Sequence, residues 1–493
     1  MTTARPNLWR CAIPWPHLAV VLAALVMPCA DRVWSQTNDE APDDSRPPNI
    51  VLIMIDDLGK EWLGCYGADD IATPHFDQLA ARGMRFDNAY AMPQCTPTRT
   101  TLLTGRYPFH TGWVNHWDVP RWGVAYFDPN EPVNYTFARP LREQGYRTCI
   151  AGKWQINDFR IEPKVLDEHG FEDWCVWTGY ETGNPASAER YQDAYIHTPR
   201  GSEARLGVFG PDAYCDYLID FMNQHRSEPF CLYYPMALTH TPLVATPDEP
   251  HAESRIEKHR AMVRYADRLI GRIVAEIDRL GLRDQTYILV TTDNGSTNGI
   301  VGSRNGRRIP GAKAQENEAG TCMPLIVSAP SRVAEGSSTD ALVDFTDLFP
   351  TFLELAEHPS ASVSRERYQI DGHSFAPVLS GADPRGPRDW ILSMGHGPAR
   401  LDEQGVRGRD DFATRVMRDR RFKVWVDRDR RIVRLHDLSV DEQEQDNLLP
   451  SSDPEHIAAL AKFQTVLDSL PERDARPAYH PRAANPWDRT DSP

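Results

Sequence analysis

The run IVLIMI at residues 50–55 is apolar at every position. A strand with one wet face alternates apolar and polar residues. A strand that shows no alternation is buried on both faces, as in a parallel sheet. Shorter or less uniform runs follow at 146–151 (YRTCIA), 230–234 (FCLYY), 286–290 (TYILV) and 324–328 (PLIVS). Helical patterns lie between them. The clearest covers 256–280, where Ala266, Leu269, Ile270, Ile273, Ile277 and Leu280 recur at helical spacing. Gly281 stands where a C-terminal cap belongs. Strands alternating with helices predict an α/β fold: a large doubly wound, mixed but mostly parallel sheet flanked by helices.

After residue 375 the pattern changes. FKVWV at 422–426 and RIVRL at 431–435 alternate, and a helical stretch follows at 454–470. This predicts a smaller α+β subdomain, an antiparallel sheet plus helix. The expected organisation is a signal peptide at 1–35, a flexible leader at 36–47, a catalytic α/β domain at 48–375, the subdomain at 376–475 and a tail at 476–493. At the N-terminus Arg5 and Arg10 precede the apolar run 18–27, which is too short for an ordinary transmembrane helix. It reads as an export signal cleaved after Ala30 or Ser35, or else as an uncleaved anchor. The expectation is a secreted or periplasmic protein with no stable membrane insertion. Beyond the signal stand seven cysteines, Cys65, Cys95, Cys149, Cys175, Cys215, Cys231 and Cys322. Their odd number fits buried thiols, or six pairable cysteines and one set apart.

The formal net charge of −16 argues against nucleic acid as a partner. In an open parallel sheet, ligands bind beyond the C-terminal strand ends. Here those ends carry Asp56 and Asp57, then Lys153 and Gln155, then Thr239 and His240, then Asp293 and Asn294. Asp56, Asp57, Asp293 and Asn294 offer only oxygen atoms, which suits Ca²⁺ or Mg²⁺ and not zinc. Adjacent carboxylates repel unless a cation neutralises them.

The segment Cys95-Thr96-Pro97-Thr98-Arg99 runs on to Thr104-Gly105-Arg106. Pro97 suits the first turn of a helix and Gly105 its end. Cys95 then sits at a helix N-terminus, where backbone N–H groups and the helix dipole favour anions. Arg99 lies one turn on and can reach back to the same point. On these residues alone, Cys95 is a candidate nucleophile or a buried structural cysteine.

This segment resembles the signature of the type I sulfatases, in the alkaline-phosphatase-like superfamily. The resemblance extends in order through 49–59 (NIVLIMIDDLG), Gly152-Lys153-Trp154, Thr291 to Gly295, Gly311-Ala312-Lys313, Glu318 and the run 324–327, and into the C-terminal region near residue 450. It implies that Cys95 is oxidised to formylglycine by a formylglycine-generating enzyme. The hydrated aldehyde then attacks sulfur and later expels sulfate. It implies a metal set of Asp56, Asp57, Asp293, Asn294 and the residue-95 side chain, with Ca²⁺ expected ahead of Mg²⁺. Arg99 would orient the nucleophile, Lys153 and Lys313 would bind sulfate oxygens, and His240 would protonate or polarise the leaving oxygen. The family reads Gly-Lys-Trp-His where this chain has Gln155, and that histidine takes the proton during sulfate release. Glutamine cannot. Three outcomes stay open: another group such as His116 or Lys153 serves instead, or Gln155 only orients the diol and release is slower or water-assisted, or catalysis is weak.

The expected function is hydrolysis of a sulfate ester on a small molecule or, given export, on a carbohydrate. The alternatives are a phosphonate or phosphodiester hydrolase of the same superfamily, against which the absence of extra zinc-type ligands counts, and a catalytically weak binder of sulfated glycans. Arg304, with Arg307 and Arg308, is a candidate contact to an acidic sugar or second sulfate, or simply a solvated basic loop. The aromatic segment 113–126 either stacks on sugar rings or packs as a loop.

Overall fold

The computed structural model describes residues 46–116, 127–179, 181, 184–395, 400–402, 405–407 and 411–477. The signal segment, most of the leader, most of the aromatic segment 113–126 and nearly all of the tail lie outside them. Strands run in chain order as β1 (Asn49–Ile55), β2 (Met84–Tyr90), β3 (Arg147–Lys153), β4 (Asp173–Trp177), β5 (Tyr195–Thr198), β6 (Gly201–Ala204), β7 (Phe230–Pro235) and β8 (Thr286–Thr292). A hairpin of β9 (Val301–Arg304) and β10 (Arg307–Pro310) follows, then β11 (Cys322–Ser328) and β12 (Ser337–Asp344).

Ten strands form one sheet in the order β12-β2-β11-β8-β1-β7-β3-β4-β5-β6. The block β8-β1-β7-β3-β4 is parallel throughout. β11 runs antiparallel to both β8 and β2, and β5 and β6 close the far edge antiparallel. The sheet is therefore mixed and mostly parallel, as the apolar runs predict. β1 lies at its centre and every residue in it is buried. Ile50, Leu52 and Met54 pack into one core layer, and Val51, Ile53 and Ile55 into the other. Each such aliphatic side chain contributes about 1.5–3 kcal/mol relative to an exposed one.

The long helix Arg255–Arg279 covers the second layer. Ser254 caps it by accepting from Glu257 N, and the Glu257 carboxylate answers from the other side. Gly281, in the left-handed region at φ 70°, ends it as expected. The helix Cys95–Thr104 packs near the other layer through Leu102 and Leu103.

In the C-terminal region, β13 (Ile391–Met394), the hairpin β14 (Arg400–Asp402) and β15 (Gly405–Arg407), β16 (Arg415–Arg418), β17 (Phe422–Val426) and β18 (Ile432–Asp437) precede the helix Pro454–Ser469. A four-stranded antiparallel sheet in the order β13-β16-β17-β18 packs Val424, Val426 and Leu435 against Phe463 and Leu467 of that helix. The α+β character expected there is present, with the last strand running on to Asp437 because that end is buried. All seven cysteines named above are free thiols. Among the described residues no helix is long and apolar enough to cross a membrane.

Candidate active site

Parallel strands point their C-terminal ends the same way, so β1, β3, β7 and β8 deliver their following residues to one edge. Asp56 and Asp57 follow β1. Backbone bonds lock that turn to its neighbours: Asp56 N donates to Leu238 O, Thr239 N donates to Asp56 O, and Asp293 N donates to Ile55 O. Asp57 takes a positive φ of 57°, a region a non-glycine residue enters only when its surroundings hold it there. Its backbone N–H donates to Asp293 Oδ1 at 3.0 Å, and Asn294 Nδ2 donates to Asp57 Oδ1 at 2.8 Å. The four predicted oxygen-bearing residues thus form one cluster.

The helix Cys95–Thr104 enters this cluster by its N-terminus and ends at Gly105, φ 66°. Thr98 Oγ1 donates to Asp293 O at 2.7 Å, which fixes the helix to the end of β8. Arg99 reaches back as expected. Its Nη2 lies 2.7 Å from Asp293 Oδ2 and 3.3 Å from Asp56 Oδ2. Lys153 Nζ donates to Asp56 Oδ2 at 2.5 Å, and Lys313 Nζ lies 2.7 and 2.8 Å from the two Asp57 oxygens. The side chain of residue 95 approaches Asp56 and Asp293, with one ligand atom of each of the three within 4.8 Å of the others. A second such triad is Asp56, Asp57 and His240.

These charges perturb one another. Burial pushes Asp56 up, but Lys153 and then Arg99 outweigh it and hold the carboxyl well below the usual range. Burial raises Asp57 against the pull of Lys313. Burial, with Asp56 adding to it, also raises Asp293 against the pull of Arg99. Lys313 sits above its ordinary value: burial opposes its charge, and Asp57 and residue 95 restore it. His240 is pushed well down by burial and then by Lys313 and Lys153, so its imidazole is neutral. A carbonyl only accepts, so Nδ1–H of His240 donates to Thr241 O at 2.5 Å. That leaves Nε2 turned toward Asp57 Oδ2, 3.9 Å away.

Asp56 Oδ1 and Asn294 Oδ1 are buried acceptors with no hydrogen-bond donor. An orphaned buried acceptor is costly unless a cation meets it. With the carboxylates of Asp57 and Asp293 beside them, the donor set fits a hard divalent cation. With all three aspartates ionised, the form a cation would bind, their −3 balances the +3 of Arg99, Lys153 and Lys313. A bound dication would leave the cluster at about +2, suited to an anionic ester and a developing oxyanion.

Of two further sequence candidates, Gln155 borders the cluster and Arg304 falls elsewhere. Gln155 follows β3 at the edge of the cluster, where its Nε2 lies 3.4 Å from His116 Nε2. Arg304, on β9, forms an ion pair with Glu442. It lines a separate cleft of about 1260 Å³ with Arg307 and Arg308. What the spacing suggests is a basic loop is a hairpin turned at Asn305-Gly306, both at positive φ. The supporting bonds of Thr98 and Ser296 were not legible, although a threonine one turn into an anion-binding helix is a natural anchor. Ser296 Oγ accepts from Gly59 N, fastening the loop after β1 to the turn after β8.

A family model described as Sulfatase matches residues 48–358. Human arylsulfatase A (Homo sapiens) is 32% identical over 395 residues, covering 74% of this chain and 73% of that protein. Dog N-acetylgalactosamine-6-sulfatase (Canis lupus familiaris) is 30% identical over 364 residues, covering 68% of this chain and 66% of that protein, about two thirds of its length. The crystal structure of Ps i-CgsB in complex with k-i-k-neocarrahexaose superposes with a TM-score of 0.70 at 22% identity, covering 88% of this chain and 95% of that one.

Proposed function

The chain belongs to the sulfatase family and is a sulfuric ester hydrolase, and from that premise we propose that it uses a formylglycine made from Cys95 and a Ca²⁺ ion to hydrolyse a sulfated carbohydrate. One observation carries this reading: the residue-95 side chain stands at a helix N-terminus, beside Asp56 and Asp293 and within the field of Lys313 and Arg99.

When bound, the cation supplies Lewis-acid pull on a sulfate oxygen, and the hydrated formylglycine supplies a hydroxyl that attacks sulfur. Asp56, Asp57, Asp293 and Asn294 hold the cation. Arg99 fixes Asp293 and Asp56 and keeps the nucleophile's side of the cluster positive. Lys153 and Lys313 take up sulfate oxygens and the charge that grows on them. His240 turns Nε2 toward Asp57 at the edge of the cluster, and in this reading it engages the leaving oxygen.

The carbohydrate assignment rests on reading the apolar N-terminal run as an export signal and on relatives such as the N-acetylgalactosamine-6-sulfatase. Maturation then takes place by way of a formylglycine-generating enzyme, and the mature protein works outside the cytoplasm. Protein made in a host with that machinery should show an aldehyde or its hydrate in place of the Cys95 thiol by peptide mass spectrometry. It should turn over sulfated saccharides, and Cys95→Ser should abolish multiple turnover. Full activity with an intact thiol, or turnover of phosphodiesters in place of sulfate esters, overturns the proposal.

A further inference from the structure

Resting on that reading, we propose that His116 is the catalytic base at residue 95 and that Gln155 is the positioning residue that aims it. The carboxylates and cations around residue 95 are engaged with one another: Lys153 with Asp56, Lys313 with Asp57, Arg99 with Asp293. His240 commits Nδ1 to Thr241 and faces Asp57. His116 comes from outside this charged set. Its Nδ1 lies 3.7 Å from Cys95 Sγ and 2.9 Å from Thr96 Oγ1.

The tautomer decides whether that nitrogen can accept a proton. Thr96 Oγ1, 2.9 Å from Nδ1, donates to it if Nδ1 carries a lone pair and accepts from it if Nδ1 is protonated. Gln155 reaches the other ring nitrogen, and its own Oε1 is a buried acceptor with no donor. The two ends of an amide are told apart by their hydrogen bonds. With the amide turned over, Oε1 accepts from Nε2–H of His116, and the orphaned oxygen gains a donor. That bond holds the proton on Nε2 and leaves Nδ1 unprotonated toward residue 95. The backbone is shaped for this contact. Gln155 adopts a φ of 64°, and Gly179 leaves no Cβ where one would press on Gln155 Cγ at 3.2 Å.

The step it serves is sulfate release. The residue-95 hydroxyl passes its proton to His116 Nδ1, and the freed electron pair forms the carbon–oxygen double bond. The bond from that carbon to the sulfate oxygen breaks, and sulfate leaves with its electrons. The imidazolium returns the proton to water.

The test uses the full-length mature protein and the variants His116→Ala, His116→Gln and Gln155→Ala, each checked for melting temperature and Ca²⁺ binding. His116→Gln keeps the bulk if alanine disturbs the fold. Expected is a fall in turnover of about a hundredfold or more in both His116 variants. Peptides quenched during turnover should carry sulfate on residue 95. In protein retaining the Cys95 thiol, imidazole ¹⁵N spectra should place the His116 proton on Nε2, and Gln155→Ala should erase that preference. Wild-type turnover in the His116 variants, lost turnover without a sulfated peptide, or a proton on Nδ1 overturns the proposal. The nitrogen spectrum needs no turnover. A wild-type protein inert toward sulfate esters therefore counts against the parent reading, while the tautomer still decides this one.

Discussion

Arg99 grips Asp293 through two nitrogens, Nη2 at 2.7 Å and Nε at 3.2 Å from Oδ2, with both side chains almost fully buried. Nη2 also lies near Asp56, so one guanidinium ties the end of β1 to the end of β8. Removing one partner of such a buried pair leaves an uncompensated charge and costs about 3–5 kcal/mol. Arg99→Met should lower unfolding free energy by that order in denaturant titrations at neutral pH. Arg99→Lys keeps the charge but loses the fork, and should recover only part of the loss. A variant as stable as wild type contradicts this account of the cluster.

The orphaned acceptors Asp56 Oδ1 and Asn294 Oδ1 bear on the cation directly. A ligand that binds only the folded state adds about 2.7 kcal/mol of stability at a hundred times its dissociation constant. Ca²⁺ should therefore raise the melting temperature, EGTA should reverse the rise, and Mg²⁺ should act more weakly. Asn294→Ala and Asp293→Asn should each flatten the Ca²⁺ titration in calorimetry. Identical melting in Ca²⁺ and EGTA would remove the cation from the site.

How much of this was readable in advance follows from burial. β1 and β8 are buried along their whole length, so their apolar runs announce them, and the polar residues just beyond identify the site edge. β2 could not be read this way. It carries Arg85, Asp87 and Asn88 among its apolar residues because one stretch of it faces solvent. β12 is wet in its first half and dry in its second, so no single period runs through it. The β9–β10 hairpin carries a signal, the Asn305-Gly306 pair, but the arginines flanking it fit a solvated basic loop equally well. Ion pairs such as Lys153 with Asp56 join residues 97 apart and depend on strand order, which local pattern does not encode.

Lys153 and Lys313 are separable experimentally because their burial differs. Lys153 is fully enclosed, and its loss strands Asp56 in the interior. Lys313 is partly open, with a side-chain exposure of 19%, so its loss opens less of the interior. Lys313→Ala should lower kcat/KM on a sulfate ester by about 10²–10³ and, because water can reach the side it vacates beside Asp57, should lower the melting temperature less than Lys153→Ala does. Lys153→Ala should lose activity and melt earlier. Equal effects on melting would show that both lysines serve the fold alike.

Glu316 sits three residues past Lys313, buried, with Thr414 Oγ1 donating to it at 3.1 Å. Burial is the dominant influence and pushes its carboxyl up to about 8, despite Thr414, Lys423 and Arg415 pulling the other way. The folded protein therefore keeps a proton there that the unfolded chain gives up near the ordinary value of 4.5. Below that value both states are protonated, and the group leaves stability unchanged. Between it and about 8 the unfolded chain binds fewer protons, so stability falls as pH rises. The slope approaches about 1.4 kcal/mol per pH unit before other groups offset it. Above that range both states are ionised and the loss is complete. Glu316→Gln mimics the neutral acid and cannot titrate. Urea unfolding of both proteins at pH 5, 6, 7 and 8 should show the variant gaining on wild type at each step, by about a kcal/mol or more from end to end. The gap should stop widening above pH 8. Parallel curves across that range would mean that Glu316 is already ionised in the fold, held by Lys423 and Arg415 more strongly than burial opposes it.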